Sequence, residues 1–111
     1  MSKTYYNKLV RDRIPEIIKS QGKTCEVEIL DDEAYLKALE DKLLEEVNEY
    51  RENPSIEELA DIFTVLRWIT GAMGYSWSDV MECFFDKAHR RGTFNHKILL
   101  KWVDDGEEEK E

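Results

Sequence analysis

The common catalytic signatures are missing from this 111-residue chain. It has no Walker-type GxxxxGKS/T, HExxH, GxSxG or CxxC motif, so the usual marks of a P-loop, a zinc protease, a hydrolase elbow and a paired-cysteine site are all absent. The two cysteines, Cys25 and Cys83, stand alone and far apart, which is the usage expected of a reduced, intracellular chain. The N-terminus lacks an apolar run and no 18 consecutive residues are apolar, so neither a signal peptide nor a membrane span is expected and a cytoplasmic location is. No repeat, linker or second domain is evident. Residues 1–103 are expected to form one helical domain, with 104–111 as an acidic, disordered tail.

Charge is present in quantity but unevenly spread. The net charge is −9, yet the tail from Asp104 holds six acids and one lysine, so the rest of the chain carries only −4. The first 22 residues hold Lys3, Lys8, Arg11, Arg13 and Lys19 against Asp12 and Glu16, a local +3. An acidic site with separate cationic segments suits a metal-bound phosphate ester better than a nucleic-acid polymer, and no such polymer is expected as a partner.

The periodicity predicts a mainly α chain of about four helices. Pro15 suits the first turn of a short helix running to Gln21 and stopped by Gly22. Asp31 or Asp32 is a candidate cap for a second helix reaching about Glu52, with the apolar stripe Leu36, Leu39, Leu43, Val47, Tyr50. A third helix starts near Pro54 or Ser55 and runs to about Ala72. It is apolar almost all round, the pattern of a buried helix. A fourth starts at Ser76 or Ser78 and ends at Arg91, before Gly92. Residues 24–30 and 97–103 alternate or cluster β-prone side chains, and are expected to pair as a small two-stranded sheet.

The organising stretch is Glu45–Asp61. Residues three or four apart share a helix face, so Glu46/Glu49 and Glu58/Asp61 form two carboxylate pairs on successive helices. In an antiparallel hairpin facing positions keep a constant index sum, and both Glu49/Glu58 and Glu46/Asp61 give 107. The pairs therefore meet at matching levels. Carboxylates forced together repel unless a cation lies between them, and hard divalent ions favour oxygen ligands.

Simpler accounts compete. Glu45, Glu46 and Glu49 could be a solvated helix face, with Glu45 lying nearly opposite the apolar stripe. Ser55 and Glu58 fit a capping box. Asp61 has no such alternative, since a carboxylate in an apolar helix is costly unless paired or metal-bound. Lys87 and Arg91 either meet the dipole at their helix end or project toward a common anion, and Lys8, Arg11 and Arg13 either solubilise the N-terminus or bind phosphate.

The motifs Glu45-Glu46-Val47-Asn48-Glu49 and Glu58-Leu59-Ala60-Asp61 resemble the EExxE and ExxD pair of the all-α nucleoside triphosphate pyrophosphatase superfamily, which includes MazG-like and phosphoribosyl-ATP pyrophosphohydrolase proteins. The opening YNKLVRDRIPEII (Tyr6 to Ile18), the entry to the second helix (Ile29 to Leu36) and the closing RGxF (Arg91 to Phe94) resemble a small single-domain group within it. That resemblance implies a helical bundle binding Mg²⁺, or Mn²⁺, through Glu46, Glu49, Glu58 and Asp61, with Glu45 orienting or deprotonating water. It implies hydrolysis of the α–β phosphate bond of a nucleotide, and a homodimer or larger assembly. On this reading Lys87 and Arg91, with Lys8 and Arg11, neutralise the departing pyrophosphate. The spacer Tyr50–Glu57, eight residues, is shorter than in many members, so contacts near that loop do not carry over. Phosphoribosyl-ATP hydrolysis is the nearest enzymatic alternative, and a non-enzymatic helical dimer is the alternative of a different kind.

Overall fold

A computed structural model describes residues 2–106 as a mainly α chain of four helices: α1 (Ile14–Ser20), α2 (Asp32–Glu52), α3 (Ile56–Ala72) and α4 (Trp77–Arg91). The expected tail lies outside the described residues from position 107 onward. Local chemistry explains the starts of α2, α3 and α4 and the end of α4. The Asp31 carboxylate accepts from the Ala34 amide at 2.8 Å, and the Ser55 hydroxyl accepts from the Glu58 amide at 3.2 Å. Both satisfy donors that a helix N-terminus leaves free. At α4 the cap is reciprocal: the Asp79 amide donates to the Ser76 hydroxyl at 3.2 Å and the Ser76 amide donates to Asp79 Oδ2 at 2.9 Å, a complete capping box. Gly92 ends the helix at φ 81°, in the left-handed region that glycine enters without steric cost.

The main packing contact is α2 against α3, an antiparallel hairpin joined by Asn53, Pro54 and Ser55. The core between them is thin. Leu39 at 3% exposure and Val65 at 7% are its buried apolar residues among those described, with Thr70 and Glu46 buried beside them. The α4 helix is more lightly attached, chiefly through Trp77. Its ring meets Phe63 edge-on at 5.2 Å and lies under the Arg67 guanidinium at 5.5 Å. The α1 helix packs on none of the other three helices.

Two expectations fail here. The sheet from 24–30 and 97–103 does not form: no strand occurs among the described residues. Both runs are irregular and uncovered, with Ile29 92% and Ile98 82% exposed, and Lys97 opens the second at φ 59°, off the strand conformation. A two-stranded sheet without an apolar layer over it is at best marginal in water. The α3 helix is also not buried all round. Its Ile56, Leu59, Phe63 and Trp68 are exposed, because α2 covers one face and α4 little of the rest. The radius of gyration is 20.9 Å, against about 13 Å for a compact domain of some 100 residues. With so small a core, Leu39→Ala should lower unfolding free energy by about 2–5 kcal/mol, measured by urea denaturation followed by circular dichroism.

Candidate metal centre

The α2–α3 hairpin brings the predicted carboxylates together. Oxygens of Glu46, Glu58 and Asp61 lie within 4.8 Å of one another, and so do oxygens of Glu45, Glu46 and Glu49. Glu46 belongs to both groups, so the site is two triads sharing one residue. Helical spacing places Glu45 and Glu46 one turn from Glu49, while the Asn53–Ser55 turn brings the first turns of α3 alongside. The alternative use of Glu58 disappears: Ser55 caps α3 through the Glu58 amide, but the Glu58 carboxylate does not reach back to complete a box. It points into the cluster instead.

The electrostatics single out Glu46 and Glu58. Glu46 is 5% exposed. One of its oxygens pairs with Lys42 at 3.3 Å, whereas Oε2 is buried with no hydrogen-bond partner, as is Glu58 Oε2. An unpaired buried acceptor is costly, and two at one place mark a cluster lacking positive charge. Burial pushes the Glu46 carboxyl above its ordinary value, and the charges of Glu49 and Asp61 add to the effect against Lys42. Glu58 is raised too, by desolvation first and then by Glu46. An all-carboxylate donor set with buried free oxygens fits a hard divalent cation.

Positive charge reaches the rim from three residues. Lys8 pairs with Glu45 at 2.7 Å, and Arg11 with Asp61 at 2.7 Å. Arg11 also reaches Thr64 Oγ1 at 3.4 Å. The segment before α1 thus lies across both helices of the hairpin, with Asn7 at φ 46° turning the chain just ahead of Lys8. Lys42 is the residue that sequence reasoning missed. It pairs with Glu45 and Glu46 at 3.3 Å each, and its (i, i+3) and (i, i+4) spacing was the available signal. Glu45 is therefore not the solvated residue that the helical wheel suggested. It is half-buried, and the Lys8 ammonium, helped by Lys42, holds its carboxyl below the ordinary value against the opposing effect of burial. Asp61, expected in apolar surroundings, instead sits at the edge of the cluster with its side chain 36% exposed.

The structure does not bring Lys87 and Arg91 to the acids. Neither makes an ion pair or hydrogen bond with them among the described residues. Both are exposed, ten and fourteen residues past Trp77, or about 15 and 21 Å along α4 at ~1.5 Å per residue. Cys25 and Cys83 are free. No helix among the described residues is long and apolar enough to cross a membrane.

Over 43 residues the chain is 54% identical to a protein of Mycolicibacterium smegmatis (strain ATCC 700084 / mc(2)155) described only as uncharacterised. That match covers 39% of this chain and 44% of the relative, so the chain spans under half of that protein's length. No protein-family profile matches the chain, and no solved structure does. The site therefore stands on its own geometry.

The raised carboxyl of Glu46 fixes a sign. A group whose pKa is higher in the folded state adds stability below its unfolded value, ordinarily near 4.5, and loses that contribution as pH rises through the folded value. At neutral pH the charged Glu46 therefore weakens the metal-free fold. Glu46→Gln should raise metal-free stability at pH 7.5, less whatever the lost Lys42 pair contributed, and the gain should vanish as pH falls toward 4.5. Differential scanning calorimetry across that range checks both the direction and the convergence.

Proposed function

We propose that the protein is a divalent-metal-dependent nucleotide pyrophosphohydrolase, cleaving the α–β phosphate bond of a nucleoside triphosphate to give a monophosphate and pyrophosphate. The observation that carries this reading is the pair of buried, unpartnered oxygens, Glu46 Oε2 and Glu58 Oε2, inside a carboxylate cluster rimmed by phosphate-seeking cations. The resemblance of the two acidic motifs and of the N-terminal opening to the MazG-like group supplies the reaction type.

In this reading Glu46, Glu49, Glu58 and Asp61 would hold Mg²⁺, or Mn²⁺, with Glu46 shared between the two triads. When bound, such a cation polarises phosphate oxygens and lowers the pKa of water. Glu45 accepts a hydrogen bond from the attacking water and orients it toward the α-phosphorus. Because Lys8 and Lys42 keep Glu45 ionised and weakly basic, positioning is its main contribution. The water oxygen forms the new bond to phosphorus as the bond to the bridging oxygen breaks, pyrophosphate leaves with the electron pair, and the water's proton is released to solvent past Glu45. Lys8 and Arg11, already at the rim, take the departing phosphates by charge-assisted hydrogen bonds. Lys87 and Arg91 keep that role only if a neighbouring copy delivers them.

The uncovered faces of α3 and α4, where Leu59, Phe63, Phe84 and Phe85 are all more than half exposed, support a homo-oligomer. Exposed apolar surface of that extent is unusual on a monomer. Sedimentation velocity at micromolar concentration should then give a mass of at least two chains. A purely monomeric boundary would remove this part of the proposal.

For the activity, pyrophosphate release from a panel of nucleoside triphosphates should require Mg²⁺. It should fall by more than about a hundredfold in Asp61→Ala, beyond the 10–100-fold losses typical of outer-shell changes. Wild-type protein and variant with equal rates would sink the site assignment. Millimolar Mg²⁺ should also raise the melting temperature of the wild-type protein, since a ion bound only by the folded state stabilises it. The absence of any shift would favour a non-enzymatic helical module.

A further inference from the structure

At the open end of the hairpin, two turns from the acids, lies a cleft of about 650 Å³. Its walls come from the start of α2 (Asp32, Tyr35), the last turns of α3 (Arg67, Trp68) and the α3–α4 junction (Tyr75, Trp77). We propose that this cleft is a nucleobase site with guanine as its preferred occupant. The proposal depends on the pyrophosphohydrolase reading only for what lies at the ligand's phosphate end.

Three observations carry it. The volume falls within the roughly 300–1,000 Å³ of small-ligand sites, and four of the six named wall residues are aromatic, offering flat faces on which any base can stack. Trp77 is fixed by neighbours, edge-on against Phe63 at 5.2 Å and with one face under the Arg67 guanidinium at 5.5 Å, which leaves Tyr35, Trp68 and Tyr75 as the stacking surfaces and sets Arg67 at the wall. Second, the cleft contains one carboxylate and one guanidinium, and neither Asp32 nor Arg67 makes an ion pair among the described residues. A second copy closing over the cleft would bury both charges unless it supplied matching partners, which is unfavourable. A guanine satisfies both at once. Its N1–H and N2–H donate side by side to a carboxylate, while O6 and N7 accept side by side from an arginine. Adenine offers no such pair of donors, and a pyrimidine covers less of the aromatic wall.

Third, the position fits. Trp68 is seven residues beyond Asp61 on α3, almost two full turns, so it shares a helix face with Asp61 at about 10 Å along the axis. Asp32, fourteen residues before Glu46 on α2, lies about 21 Å from it along the axis, so the Trp68 side of the cleft is the one nearer the acids and the ligand's phosphate end. Gly71 leaves the floor open: a Cβ built there meets nothing within 4 Å. A larger side chain at 71 would therefore enter the cleft without disturbing its walls or the acidic cluster.

The test uses the full-length protein without metal, titrated with guanosine, adenosine and uridine monophosphates and followed by tryptophan fluorescence. Equal phosphates make the ranking report the base alone. The guanosine nucleotide should bind tightest, and Gly71→Leu and Arg67→Lys should each weaken it about tenfold or more. The Mg²⁺-induced shift in melting temperature, which reports the acidic cluster, should stay unchanged in both variants. Equal affinity for all three nucleotides, or unaltered binding in Gly71→Leu, would overturn the assignment. So would a Trp68→Ala variant that binds normally but loses self-association, because the cleft would then be an interface between copies. A protein that binds guanosine monophosphate in this way yet hydrolyses no triphosphate leaves the cleft assigned and removes the catalytic reading instead.

Discussion

Like charges held at one level of a helical hairpin set the terms for the rest of this structure. Packing α2 on α3 buries Leu39 and Val65, and the same packing drives Glu46 against Glu58 and Asp61. Solvent cannot relieve that repulsion at the buried oxygens, so relief has to come from cations within the chain or from outside it. The chain supplies Lys42 from α2 itself, and Lys8 and Arg11 from the segment ahead of α1. These three reach the outer oxygens of the cluster and leave the innermost ones unpartnered. The cluster is thus ion-paired at its rim, while its two innermost oxygens are shielded from water and from the three cations alike.

The helices were readable because their determinants are local. Asp31, Ser55 and Ser76 carry short polar side chains just ahead of helical stretches, and each is found capping. Gly92 stops α4 for a reason visible in one residue. The meeting of the two acidic pairs was also readable, since a three-residue turn between helices leaves few registers open. What the sequence did not disclose depends on distant neighbours. An all-round apolar α3 says that something should cover it, not whether this chain does so. Alternation in 24–30 and the β-prone side chains of 97–103 show a preference for strand, while a ladder needs a partner that neither pattern can name. Lys87 and Arg91 sit at a helix end whose direction is set by the α3–α4 junction, and no pattern in their own neighbourhood encodes that direction.

Aromatic side chains are divided between two tasks in the same hairpin. Phe63 contributes less to a closed core than to fixing Trp77, and Trp77 in turn gives Arg67 a face to lie on. The acids cluster near the tight turn, where the helices are held closest in register, whereas the aromatic groups gather at the open end. One end of the hairpin therefore concentrates charge and the other concentrates polarisable surface, joined by two turns of α3.

The hold of the segment before α1 on the hairpin depends on the surrounding solution. Because α1 packs on no other helix, this stretch is tied to the hairpin largely by Lys8–Glu45 and Arg11–Asp61, both partly solvated. Ion pairs of that kind weaken as salt screens them. Ionic strength, which barely affects the buried contacts of α2 with α3, therefore acts selectively on how firmly the acidic cluster is covered. In dilute buffer the two cations guard the cluster closely; in concentrated salt they loosen together and leave its outer acids open to water.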